Sequence, residues 1–273
     1  MARKQDIAAG PDNGHMQNNL NRTLLVTGGG RGIGAATALR AARLGYDIAL
    51  NFSRDQTAAT ALADRIRATT GRRAALLQAD VGDEAAVLAM FATLDGWIAQ
   101  EGWPPLAGLV NNAGVVDLAA RVDEMAGDRL RRMFNINVLG SLYCAREALL
   151  RMSRRHGGGG GAIVNLSSVA AVLGAPGQYV DYAASKGAID TFTVGLAREV
   201  AAEGVRVNGV RPGIIETDIH ASGGQPDRAQ RMAPLVPMQR AGSADEVAAA
   251  IVWLLSDEAS YTTGTILDVS GGR

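Results

Sequence analysis

A short apolar run, Thr23-Leu24-Leu25-Val26-Thr27, passes directly into Gly28-Gly29-Gly30-Arg31-Gly32-Ile33-Gly34 and then into an alanine-rich stretch at 35–44. A strand, a glycine-rich turn and a helix in that order leave few folds open to the chain. The glycines let the backbone approach a bound group closely. The helix start that follows carries unpaired N–H donors and the positive end of the helix dipole. The unit is therefore suited to hold a phosphate. Glycines alone would mean only a tight turn, and the flanking strand and helix argue for more.

The same alternation continues to the end. Apolar runs at 47–51, 73–79, 107–110, 162–166, 205–210 and 264–269 read as further strands. Helical patterns fill 56–69, 83–100, 125–154, the stretch after Tyr182, and 243–255. Asp83-Glu84 opens its helix where the dipole favours acids. Ser243-Ala244-Asp245-Glu246 resembles a helix cap. Ile189, Phe192, Leu196 and Val200 form one stripe, which is core. Short apolar strands separated by helices predict a doubly wound, seven-stranded parallel sheet (a Rossmann fold) in one α/β domain over 23–273. Its crevice lies at the carboxyl ends of the strands. Residues 1–22 are polar and aperiodic and read as a mobile arm, and the His15-Met16 pair leaves open whether 1–15 are native. Residues 214–235 include a Gly- and Ser-rich portion and read as a mobile substrate flap.

Composition narrows the function. Lys and Arg total 27, as do Asp and Glu, so the net charge is zero. A nucleic-acid partner is not expected, because phosphate backbones call for a basic face. Cys144 is the single cysteine. It fits a reducing, cytoplasmic setting, and its apolar neighbours suggest a packed thiol rather than a reactive one. No apolar run reaches the roughly 20 residues of a membrane span, and no signal-peptide pattern opens the chain. No metal ligand set is assigned, and His156 reads as a solvated loop residue.

The residues at the strand ends carry the chemistry. At the end of the second strand, where an acidic residue would hold ribose hydroxyls, stand Asn51-Phe52-Ser53-Arg54. Arg54 and Arg31 suit a ribose 2′-phosphate, because the planar guanidinium donates two bonds at once. NADP(H) is thus favoured over NAD(H), the alternative being that both arginines are merely solvated. Asp80-Val81 ends the third strand, where a side chain can reach an adenine amine. Asn111-Asn112-Ala113-Gly114 ends the fourth and suits a crevice floor. Asn137 sits mid-helix, where asparagine is unfavourable, which argues for a specific use. Tyr182 and Lys186 stand four apart, one turn apart on a single helix face. A nearby ammonium lowers a phenol's pKa and fits the tyrosine for proton transfer. Alone, such a pair is commonly just a surface pair. Ser167-Ser168 closes the fifth strand, and a hydroxyl there could bond the oxygen that Tyr182 protonates.

Set and order together resemble the short-chain dehydrogenase/reductase family over about 22–273, in particular members of the 3-oxoacyl-ACP reductase and glucose dehydrogenase kind. Thr27-Gly28-x-x-x-Gly32-Ile33-Gly34 looks like the family's cofactor turn, and Asn111-Asn112-Ala113-Gly114 like its strand-four motif. Asn137, Ser168, Tyr182 and Lys186 match its catalytic tetrad. Pro212-Gly213, with Ile215 and Thr217, matches its nicotinamide-side loop. The resemblance implies a cofactor site of Gly28, Gly30, Arg31, Gly32, Ile33, Gly34, Ser53, Arg54, Asp80, Val81, Asn112, Ala113 and Gly114. Tyr182, Lys186, Pro212, Gly213, Ile215 and Thr217 complete it. It implies hydride transfer between nicotinamide and a small carbonyl or secondary alcohol. Tyr182 is the general acid/base, Lys186 lowers its pKa and binds the nicotinamide ribose, Ser168 positions the oxygen, and Asn137 holds a water. It also implies a homotetramer, or a homodimer. Ser168 and Tyr182 stand 14 positions apart, one more than in many members, which leaves Ser167 as the alternative to the preferred Ser168. Tyr179 has no lysine four residues on and is rejected as the acid. A non-catalytic cofactor-binding regulator is the competing reading. A sugar-nucleotide epimerase would call for a larger C-terminal region. Substrate contacts are expected from His220, Ser222, Gln225, Asp227 and Arg228, which suit a polyol, a sugar or a small hydroxy compound; a 3-oxoacyl thioester fits equally.

Overall fold

Each strand alternates its side chains between two helical layers. Leu24, Val26, Ile48 and Leu50 face one side, and Leu25, Ala49 and Leu77 face the other. This period of two, apolar in both phases, is what a sheet covered on both faces requires. In the computed structural model, which describes residues 21–273, the strands are β1 (Thr23–Val26), β2 (Asp47–Phe52), β3 (Ala74–Gln78), β4 (Leu106–Asn111), β5 (Gly161–Leu166), β6 (Val205–Pro212) and β7 (Ile266–Val269). They form one parallel sheet in the order β3-β2-β1-β4-β5-β6-β7. The order reverses between β1 and β4, which opens the crevice there.

The helices are α1 (Gly32–Arg43), α2 (Gln56–Thr70), α3 (Glu84–Gln100), α4 (Gly127–Phe134), α5 (Gly140–Met152), α6 (Ala170–Leu173), α7 (Val180–Val200), α8 (Ile219–Ser222), α9 (Arg228–Met232) and α10 (Ala244–Leu255). Ala38 and Ala41 of α1, Leu62 of α2 and Ile251 of α10 fill one layer. Phe91 of α3, Cys144 of α5 and Leu196 of α7 fill the other. Cys144 is fully buried, and burial pushes its thiol up to about 12, so it packs as a small apolar residue. Both halves of the α10 cap are present: Glu246 N–H donates to Ser243 Oγ at 3.2 Å, and Ser243 N–H donates to Glu246 Oε2 at 2.8 Å. Such a cap is worth about 1 kcal/mol. Among the described residues no helix is long and apolar enough to cross a membrane.

Two expectations change. The arm at 1–22 lies almost wholly outside the described residues, and its last residue is not loose: Arg22 pairs with Asp257 at 3.1 Å. The helix expected at 125–154 is interrupted by a wider π turn at Asn135–Leu139, centred on Asn137. The segment read as a substrate flap contains the short helices α8 and α9, and Ile214, Ala229 and Val236 make a small core of their own.

Candidate active site

The glycine turn is fixed from β2 and from β4. Gly28 takes φ +60°, which costs a glycine nothing. Its N–H donates to Asn51 Oδ1 at 3.2 Å, while Asn51 Nδ2 donates to the Leu77 and Ala79 carbonyls. Asn112 Nδ2 donates to the Thr27 and Gly28 carbonyls, both at 2.9 Å. A Cβ at Gly34 would lie 2.5 Å from Asn112 Nδ2 and 2.6 Å from the Gly28 oxygen. Gly34 therefore lets the turn close, and it lines neither cavity described below.

Gly28, Gly30, Arg31, Gly32, Ile33, Ser53, Arg54, Asp80, Val81, Asn112, Ala113, Gly114 and Thr217 line one groove of about 830 Å³. Sequence reasoning missed Asp55, Val115 and Arg132 on its walls, noted Asn51 without assigning it to the site, and expected Ser222 at the substrate instead. A polar Asn51 inside an apolar strand was a usable signal; Arg132, on the exposed face of α4, gave none. The guanidinium groups of Arg31 and Arg54 make no hydrogen bond or ion pair among the described residues, and both residues line the groove. The left-handed glycines and two uncommitted guanidinium groups fit a dinucleotide carrying an extra phosphate.

Ser168, Tyr182 and Lys186 line an adjoining cavity of about 470 Å³. Pro212, Gly213 and Ile215, expected in the cofactor groove, line this cavity instead, because β6 runs on to Pro212 and carries the loop over the mouth. Ile33, Asn112, Gly114 and Thr217 line both, so the two spaces are continuous. Ser167 turns inward and donates to the Lys186 carbonyl at 3.1 Å. Ser168 Oγ accepts from Ala170 N–H at 3.1 Å and sits in hydrogen-bond reach of the Tyr182 phenol.

The expectation that Lys186 lowers the Tyr182 pKa is corrected. Burial pushes the phenol up, and only the bond from Ser168 pulls it down. Lys186 Nζ donates to the Leu166 carbonyl at 2.7 Å and lies 5.6 Å from the Tyr182 ring centre. Its own burial lowers it to about 8, against which Asp190 acts. Asp190 stands four residues after Lys186 on α7 and is held by Arg211 at 2.9 Å. Its Oδ1 is buried with no partner among the described residues.

Asn137 is fully buried. Its Oδ1 accepts from Val115 N–H at 2.8 Å, and its Nδ2 donates to the Val115 carbonyl at 3.0 Å and to Ser185 Oγ at 3.2 Å. The π turn thus aims one amide at the loop after β4 and at α7 together. Of the five flap residues expected to touch substrate, His220 and Arg228 line the cavity. His220 Nε2 is engaged with the Ile215 carbonyl at 2.9 Å. Gln225 donates to Tyr179, Asp227 pairs with Arg231, and Ser222 lines the groove. Gln225 and Asp227 are taken up by polar neighbours, which spacing alone does not reveal.

A family model described as Enoyl-(Acyl carrier protein) reductase matches residues 28–273. The uncharacterized oxidoreductase YgfF of Escherichia coli (strain K12) is 54% identical over 249 residues, covering 91% of this chain and 98% of its own. A short chain dehydrogenase from Burkholderia cenocepacia J2315, solved in complex with NADP, superimposes with a TM-score of 0.81 at 35% identity, covering 92% and 97% of the two chains. A blue fluorescent protein from a metagenomic library, solved in complex with NADPH, gives 0.82 at 36% identity over 93% and 99%.

Proposed function

From the short-chain dehydrogenase/reductase family, to which this chain belongs, we propose an NADP(H)-dependent oxidoreductase acting on a carbonyl or secondary alcohol. The observation that carries this is the convergence of Ser168, Tyr182 and Lys186 in one cavity continuous with the cofactor groove. The cofactor supplies the hydride and, in the reverse direction, accepts it. Ser168 holds the substrate oxygen. Tyr182 gives that oxygen its proton, or takes it back. The Lys186 ammonium, on the same face of α7, binds the nicotinamide ribose. Asn137 positions the loop after β4 against α7. The flap over 214–235 closes on the substrate.

Arg31 and Arg54 support the choice of NADP(H), as do the cofactors in the two similar structures. Titration with NADPH and NADH, followed by nicotinamide fluorescence, tests it. Arg54→Gln is expected to weaken NADPH about 10- to 100-fold and NADH by less than about threefold, the scale of a lost charge-assisted hydrogen bond. A wild-type preference for NADH would remove the arginine argument and leave the Ser-Tyr-Lys reading standing.

Lys186 also sets a pH limit. Its lowered pKa means the ammonium is lost as pH rises through about 8, instead of near 10.5. Without that charge the grip on the nicotinamide ribose weakens, so kcat/KM for reduction should fall as pH rises through about 8. A profile flat to pH 10 would contradict the role given to Lys186. The same reading places the protein in the cytoplasm as a homotetramer. Exposed Leu139 and Leu150, near and on α5, offer apolar surface for assembly, which light scattering would measure.

A further inference from the structure

We propose that the substrate is an oxo acid: a carbonyl compound whose apolar body ends in a carboxylate held by Arg228. The word substrate rests on the hydride-transfer reading above; the anion site does not. The cavity walls include Val169, Leu173, Pro176, Ile214 and Met232, which suit an apolar body. The charged side chains on them are Lys186, Arg228 and Arg273, and no Asp or Glu side chain lines the space. Lys186 is committed to the Leu166 carbonyl.

Arg228 is held by neutral groups. Its Nη1 donates to Gln178 Oε1 at 2.9 Å and to Gln225 Oε1 at 3.1 Å. Its guanidinium lies 5.3 Å from the Tyr179 ring centre, and the Tyr179 hydroxyl accepts from Gln225 Nε2 at 2.5 Å. Two amides and a ring therefore fix the cation without neutralising it. Its neighbour Arg231, by contrast, pairs with Asp227 at 3.0 Å. Among the described residues Arg228 has no carboxylate partner, and its Nε and Nη2 make no hydrogen bond. A fixed guanidinium with two adjacent free donors matches a planar carboxylate in a bidentate pair. Half-burial strengthens that pair relative to one in open water.

The test compares medium-chain oxo acids with their methyl esters, both in NADPH-dependent turnover and in calorimetric binding to the protein. The acid is expected to exceed the ester about 10- to 100-fold in kcat/KM, mostly through KM, and to bind correspondingly tighter. In Arg228→Met the acid-to-ester ratio should collapse toward one, and Arg228→Lys should restore part of it. An ester equal to the acid in the wild type overturns the proposal. So does an Arg228→Met variant that weakens both by the same factor, because Arg228 would then only brace the flap. Acid-selective binding without turnover by either compound would keep the anion site and overturn the hydride-transfer reading instead.

Discussion

Tyr182→Phe is expected to lower kcat for NADPH-dependent carbonyl reduction by about 100- to 10,000-fold, the usual contribution of a positioned proton donor. The ring stays, so its packing in the cavity and its contact with Lys186 stay with it. The hydroxyl goes, and with it the proton that the forming alkoxide needs. Binding of NADPH should change by less than about threefold, since the groove is built from the glycine turn, β2 and β4. Single-turnover mixing separates chemistry from release. Activity within tenfold of the wild type would mean that the proton comes from elsewhere, and Ser168 would be the next residue to replace.

The order of strands and helices was readable because the central strands are apolar in both phases and some helices begin at a recognisable signal. Ser243 with Glu246 and Asp83 are such signals, and each is a side-chain cap in the structure. The members of the site were readable because they stand at strand ends or one helical turn apart. Their electrostatics were not. A spacing of four between Tyr182 and Lys186 says nothing about burial, and burial decides both pKa shifts. Nor does spacing show that Lys186 would find the Leu166 carbonyl, 20 residues away. The contacts of the flap were not readable either: Gln225 and Arg228 tie it to the segment before α7, about 50 residues back.

The second large effect concerns a pair that the sequence did not signal. Arg129 of α4 meets Asp181, the residue before Tyr182, through Nε at 2.8 Å and Nη2 at 3.1 Å. The Asp181 side chain is 1% exposed and that of Arg129 is 11% exposed. Arg129 Nη1 also donates to the Leu118 carbonyl at 2.6 Å, so one guanidinium joins α4, the loop after β4 and the start of α7. Removing one partner leaves a buried charge unpaired. Arg129→Met is therefore expected to lower stability by about 3–5 kcal/mol. At roughly 2–4 °C per kcal/mol in a chain of this size, Tm should fall by about 6–20 °C. The double variant Arg129→Met/Asp181→Leu should recover much of the loss, since no charge is then stranded. Thermal melts of the wild type and the two variants would decide; a single variant within about 1 kcal/mol of the wild type would show the pair to be solvated in practice.

The meeting of β1 with β4 also bears on the order in which the protein can assemble as it is made. The bonds that close the glycine turn come from Asn112 to Thr27 and Gly28, 85 and 84 residues apart. At about 5–20 residues per second, a ribosome needs roughly 4–17 s to deliver the second partner after the first. Until then the anion cradle exists as sequence without its floor, and the β1 edge that β4 will cover stays open. Contacts this distant make folding slow. The glycine turn is thus made early and takes its shape late, and it is a stretch that a chaperone would have reason to shield.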